Sequence, residues 1–250
     1  MIKCTKTSLG EIVVYRYEDD SLMLHNDLYQ INMAESYWND GIHERNAVFD
    51  LYFRSMPFES GYAVFNGLKR VIQFIEHFHF SDSDIEYLQS IGYKNDFLNY
   101  LKNLKFTGNI RSMQEGELCF GNEPLLRVEA PLIQAQLIET VLLNIINFHT
   151  LISTKASRIR QVAPDDTLME FGTRRAQELD AALWGARAAY IGGFDSTSNV
   201  RSGKLFGIPV SGTHAHALVQ TYGDEYKAFK IYAERHKNCV FLVDTFHTLK

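Results

Sequence analysis

The sequence is poor in the features that mark special environments. It has three cysteines, Cys4, Cys119 and Cys239, too far apart for metal-ligand spacing. They read as free thiols in a reducing compartment. Met1 to Asp20 lacks the apolar centre of a signal peptide. No run approaches the ~18 apolar residues of a membrane span. Even Leu137 to Ile152 is interrupted by Glu139, Thr140, Asn144, Asn147 and His149. The expected location is therefore the cytoplasm, with no membrane partner. A formal net charge of -5 gives no basic footprint for nucleic acid, although a local basic pocket for a small anion is compatible with it. There are no repeats and no low-complexity tracts.

What is present is an ordinary globular composition, 46% apolar and 22% charged over 250 residues, with 17 Phe and 13 Tyr. That length can bury a substantial core in one large domain or two smaller ones. Residues 1–20 read as an irregular leader with one short strand, Ile12 to Tyr17. Asp27 is placed to cap a helix to about Trp38, with Leu28, Ile31, Ala34 and Trp38 at helical spacing. Ala47 to Arg54 alternates as a strand does. Helices are expected over 61–79, 82–91 and 94–104, with Ser81 or Asp82 capping the second. Three short β segments fill 108–129, separated by the turn pairs Glu115-Gly116 and Gly121-Asn122. Pro131 suits a first helical position, and a long helix, with at most one break, runs on to about Val162.

From Asp166 onward, short apolar strands alternate with helix-compatible segments, and each strand ends on polar residues. The ends are Glu170 to Arg175, Gly193 to Asn199, Ser211 to His216, and Asp244-Thr245. In a parallel barrel the carboxyl ends of the strands share one rim, where catalytic side chains gather. The expected fold is thus α/β. An α+β N-terminal domain, 1–145, carries a small β subdomain near 108–129. Residues 146–250 form the first part of an irregular TIM-like (β/α) barrel. Four strands are visible where such a barrel needs about eight, so the sequence reads as an N-terminal portion of a longer protein.

Several separated segments, in order, resemble the nicotinate phosphoribosyltransferase family. They are Asp27-Leu28-Tyr29-Gln30, Phe49 to Arg54, Gly61 to Phe65, Asn122 to Val128, Glu170 to Gln177, Gly192 to Asn199, and Ser211 to His216. The resemblance covers nearly all of the chain from residue 22. It implies a type II phosphoribosyltransferase of the ligase class. The ring nitrogen of nicotinate attacks C1 of phosphoribosyl pyrophosphate, giving nicotinate mononucleotide and pyrophosphate. This is the first step of NAD salvage from nicotinate. ATP hydrolysis is coupled to the transfer through a phosphohistidine, whose position here is His216. The resemblance implies nicotinate, phosphoribosyl pyrophosphate and ATP as ligands. It also implies Mg2+, with the acidic loop for ribose and Mg2+-pyrophosphate, and an arginine for the nicotinate carboxylate, beyond residue 250. A homodimer with a shared active site is implied too, since Tyr29 matches a tyrosine lent to the partner's site.

The residues themselves suit this chemistry. Nicotinate is a flat anion, so its site needs an aromatic face and donors. Phe171, at a strand end, is placed to give the face, although core packing is the ordinary fate of a Phe. Arg174 and Arg175 point apart on an extended loop, so that one grips a phosphate. The alternative is an exposed pair capping the next helix, and the resemblance favours Arg174. Asp195, Ser196 and the hydroxyls after them look like a helix cap and equally like an anion-tolerant helix start. The resemblance puts Asp195 near the ring pocket, where an acid beside a carboxylate needs a compensating group. Ser196 is assigned to substrate binding with it. Thr213 is a candidate donor to nicotinate. A histidine that attacks a γ-phosphate must be neutral with one nitrogen free. Asp244 matches the acid that steadies it in relatives, while capping of a following helix is the plain alternative. Ala217 and His247 depart from the common family pattern.

Other readings remain open. His214 and His216, two apart on a strand, share one face and resemble a metal-hydrolase pair, with Glu170, Asp195 and Asp244 as further ligands. The family reading itself assigns no metal ligands. A non-catalytic binding or dimerisation module, and a nicotinamide or quinolinate phosphoribosyltransferase, are the remaining alternatives.

Overall fold

The computed structural model describes residues 21–246. The expected strand Ile12 to Tyr17, Cys4 and His247 lie outside the described residues. In chain order the elements are α1 (Leu28–Asn39), β1 (Asn46–Leu51), β2 (Ala63–Val64), α2 (Leu68–Glu76), α3 (Asp82–Ser90), α4 (Asn95–Asn103), β3 (Asn109–Ser112), β4 (Leu118–Cys119), β5 (Leu126–Pro131) and α5 (Leu132–Val162). They continue as β6 (Met169–Glu170), α6 (Leu179–Ile191), β7 (Ser196–Thr197), α7 (Val200–Phe206), α8 (His216–Tyr222) and α9 (Glu225–Arg235). The chain divides into two compact units. Among the described residues, one comprises 21–51, 68–112 and 124–145, and the other 52–67, 113–123 and 146–246. Compared with a single cut after residue 145, the second unit also takes in two earlier segments.

The first unit holds an antiparallel sheet in the order β1-β5-β3. Alternation along central β5 buries Leu126, Val128 and Ala130. At the edge, β1 shelters neither face, and Phe49 stays 37% exposed. Pro131 ends β5 rather than starting the helix, since an edge-facing last strand residue can also do without its N–H. Ser81, not Asp82, caps α3, and Asp84 returns the bond to form a capping box. Asp82 instead reaches Lys102 at 2.7 Å. Asp27 occupies the cap position of α1, but its side chain makes no cap bond. The apolar stripes of α4 and α1 meet at Trp38 and Phe97, with ring centroids 5.8 Å apart.

The expected helix over 61–79 is divided, 61–67 falling in the second unit and α2 in the first. Its first part is β2, paired antiparallel with β4, and only 68–76 is helical. The reason is a set of hydroxyls on α5. Thr154 Oγ1 accepts from the Val64 amide at 2.9 Å, Ser153 Oγ donates to Val64 O at 2.7 Å, and Thr150 Oγ1 accepts from the Asn66 amide at 3.2 Å. These satisfy backbone groups of a buried two-residue strand that has a single ladder neighbour. Glu115 and Arg187 add a largely buried two-toothed ion pair, at 2.6 and 3.1 Å, and Glu115 also accepts from the Gly67 amide. Among the described residues, α5 is the one helix long and apolar enough to cross a membrane. More than half of its most apolar stretch is buried inside the protein, as in a core helix.

Candidate active site

The strands after α5 lie parallel in sequence order. Met169 and Glu170 pair with Ser196 and Thr197, Thr197 bridges to Val210, and Thr213 bridges to Val240. Backbone bonds extend the ladder through Ser198 N–H to Glu170 O and Ser211 N–H to Thr197 O. Parallel neighbours put their carboxyl ends on one side. The residues that follow those ends are Phe171 to Arg175, Ser198 and Ser211, and the segment after Val240 carries Asp244.

At the first end, Phe171 is 37% exposed, enough to offer a ring face. The chain then turns tightly, not extended as expected. Arg175 N–H and Ala176 N–H both bond Gly172 O, and Thr173–Arg175 is a 3-10 turn. Successive side chains on such a turn still diverge, by about 120° at three residues per turn, so Arg174 and Arg175 both project into solvent. Behind the turn stands Glu170. One of its carboxylate oxygens accepts from Gly172 N–H, and the other accepts from the Thr197 hydroxyl at 2.7 Å.

The third end separates the two histidines. His214 is buried among Phe229, Tyr232 and Phe241. Its Nε2 accepts from Leu242 N–H at 3.2 Å. His216 opens α8 and is exposed, so the pair does not share a strand face. That arrangement does not suit a two-histidine metal site. The His216 ring lies between two oxygens. Thr245 Oγ1 is 3.1 Å from Nδ1, and Asp244 Oδ1 is 3.8 Å from Nε2. Thr213, just before, donates its hydroxyl to His214 O at 2.8 Å.

Asp195 sits before β7, at the amino end of that strand, whereas Phe171, Arg174 and Arg175 follow the carboxyl end of β6. Its Oδ2 accepts from Leu168 N–H at 2.8 Å and from Arg160 Nη2 at 2.5 Å. These bonds hold its carboxyl below the usual carboxylate range, the Leu168 amide contributing most. The helix-cap role expected of Asp195 and its hydroxyls belongs to Asn199, whose side chain accepts from Ser202 N–H at 3.0 Å. Ser196 is buried in the strand, and its Oγ has no bond to the described residues. Tyr29 belongs to the first unit. There it is half exposed, and its hydroxyl oxygen accepts from Gln30 Nε2 at 3.1 Å.

Arg160 escapes a reading of the sequence; Thr197 enters it only among the hydroxyls read as a helix cap, and Glu170 only as a strand end in the family motif and an alternative metal ligand. Arg160 lies in the last turn of α5 and bonds the carbonyls of Ala163, Pro164, Asp166 and Gly193 as well as Asp195. A basic residue at a helix end next to Pro164-Asp165-Asp166 is the available signal. Among the described residues, no three His, Cys, Asp or Glu side chains converge as a metal site.

Comparison with known proteins resolves the family. The model of the nicotinate phosphoribosyltransferase (NAPRTase) N-terminal domain matches residues 24–147. Over 237 residues the chain is 67% identical to nicotinate phosphoribosyltransferase of Bacillus subtilis (strain 168), an overlap of 94% of this chain and 48% of that protein. The chain belongs to the nicotinate phosphoribosyltransferase family. The crystal structure of human nicotinic acid phosphoribosyltransferase superposes with a TM-score of 0.74 at 40% identity, covering 78% of this chain and 40% of that one. The α/β fold is also that of a nicotinate-nucleotide pyrophosphorylase from Pyrococcus furiosus, with a TM-score of 0.77 at 24% identity over 96% of this chain and 55% of that one. The family chain described here spans about half the length of the Bacillus relative.

Proposed function

We propose that the protein carrying this chain transfers phosphoribosyl from phosphoribosyl pyrophosphate to nicotinate, coupled to ATP hydrolysis through His216. The observation that carries the reading is the setting of His216. It is an exposed imidazole at a strand-end segment, with an oxygen near each ring nitrogen. In the coupling step one neutral ring nitrogen attacks the γ-phosphorus of ATP. The N–P bond forms, the bond to the β-phosphate oxygen breaks, and ADP leaves. The other nitrogen keeps its proton toward Thr245 or Asp244, which fixes the tautomer and steadies the phosphoimidazole. Water later cleaves the N–P bond and releases phosphate.

In the transfer step the pyridine nitrogen attacks C1 of the ribose as pyrophosphate departs. Phe171 provides a ring face, and Arg174, with Arg175 beside it, receives phosphate oxygens. Asp195 serves this site from the amino end of its strand, with Arg160 as the compensating cation. Ser196 and Thr213 line the strands beneath the ligands. Tyr29 completes the site of a second copy in a homodimer. The free thiols Cys119, buried, and Cys239, partly accessible, suit the cytoplasm.

The test uses the complete gene product. Nicotinate, nicotinamide and quinolinate are each offered with phosphoribosyl pyrophosphate, with and without ATP. Turnover of nicotinate stimulated by ATP is expected. Preference for either other pyridine overturns the substrate assignment, and absence of all turnover favours a non-catalytic module.

A further inference from the structure

Glu170 ends β6, and its carboxylate is divided between two neighbours. One oxygen takes the Gly172 N–H, and the other takes the Thr197 hydroxyl at 2.7 Å. Thr197 is fully buried, and its Oγ1 in turn accepts from Asn199 N–H at 3.0 Å. Asn199 caps α7. A continuous line of bonds therefore runs from the start of α7, through β7, to the turn after β6. That turn holds Phe171 between Glu170 and Gly172, with Arg174 two residues on. Gly172 leaves room for the same contact. A methyl group there would meet Glu170 Oε1 at 2.6 Å.

Both carboxylate oxygens have donors within the protein, so Glu170 is not placed to take a proton from a ligand. Its geometry is that of a brace. We propose that Glu170 is a positioning residue, which fixes the 170–175 turn so that Phe171 and Arg174 face their ligands together. The proposal rests on the reading of Phe171 and Arg174 as ligand-binding groups. A charged acceptor shared between a backbone amide and a buried hydroxyl holds a turn more firmly than either bond alone.

The test compares Glu170→Ala and Glu170→Gln in the complete gene product. A glutamine keeps an oxygen for Gly172 N–H and can donate its NH2 to the Thr197 hydroxyl oxygen. Glu170→Ala is expected to raise the KM for nicotinate and for phosphoribosyl pyrophosphate about tenfold, roughly the loss of one charge-assisted bond, with kcat changed less than about threefold. Glu170→Gln is expected to recover most of that loss. Equal impairment in both variants with the Gly172 amide as protected as in the parent would show that the carboxylate acts on the ligands and not on the turn, which overturns the positioning role. Wild-type KM in the alanine variant also overturns it. If the alanine variant does not fold, Glu170→Asp replaces it, since the shortened side chain cannot span both donors, and unchanged KM there has the same meaning. Amide exchange at Gly172 separates this inference from the functional reading. Faster exchange in the variant supports the brace even if nicotinate is not the substrate, and unchanged exchange refutes it whatever the substrate is.

Discussion

Arg160 Nη2 lies 2.5 Å from Asp195 Oδ2, and the same guanidinium bonds the carbonyls of Ala163, Pro164, Asp166 and Gly193. One side chain at the end of a helix thus gathers the whole connection into β6 and the approach to β7. Asp195 is the charge that balances it.

This relationship has a pH signature. The folded carboxyl of Asp195 titrates below its ordinary value, first because of the Leu168 amide and then because of Arg160. Its contribution to stability is therefore complete above the unfolded Asp value of about 3.9, and is lost as pH falls through the lower folded value. Asp195→Asn is expected to lower the urea midpoint at pH 7. The gap between variant and parent should narrow as pH falls below the unfolded value of about 3.9 and through the lower folded one. A gap that stays constant with pH would mean the carboxylate charge is irrelevant there.

Glu115 and Arg187 are a different kind of pair. Their side chains are only 16% and 14% exposed. Removing one partner of such a pair leaves a charge with little access to water. Glu115→Ala is expected to cost about 3 kcal/mol in urea unfolding. Replacing both by apolar residues should cost less than the single change, and a double-mutant cycle measures the difference.

Cys119 is buried, its thiol donates to Ala63 O, and burial pushes it up to about 11. It should therefore resist alkylation near pH 8 in the folded protein and react once urea is added. Peptide mapping after labelling distinguishes it from the more accessible Cys239.

Gly172→Ala is expected to push the Glu170 carboxylate off its two donors, because the new methyl group meets Oε1 first. The backbone φ of Gly172 is -82°, which alanine adopts freely. The variant should thus fold with near-parental stability, while the Gly172 amide loses protection in hydrogen exchange. Retained protection would show that the carboxylate accommodates the methyl group.

Much of the fold is legible in the sequence where the signal is local. The length of α5, the β segments around 109–131 and the polar ends of the later strands all follow from periodicity and turn residues. The motif from Glu170 to Asn199 carries the family. What is not legible depends on partners far along the chain. Gly61 to Phe65 reads as helix until Thr150, Ser153 and Thr154 supply its backbone with bonds from about 90 residues away. Arg160 reads as an ordinary basic residue in a last helical turn, since its carboxylate partner comes 35 positions later. His214 and His216 read as a matched pair, but α8 begins at His216 and rotates it away from the strand. Asp195 reads as a cap because hydroxyls follow it, yet the strand continues through Ser196 and Thr197, and Asn199 takes that role.

The central claim is that His216 carries phosphate from ATP, and it can be measured directly. The complete gene product is incubated with ATP labelled at the γ-phosphate, quenched in alkali, which preserves phosphohistidine, and mapped by peptide mass spectrometry. Label is expected on His216, and Asp244→Asn should reduce it by about 100-fold, as for an acid that orients an imidazole. His216→Ala should carry none and should lose ATP stimulation of nicotinate transfer. Label at another residue, or ATP stimulation that survives in His216→Ala, would show that His216 does not carry the phosphate.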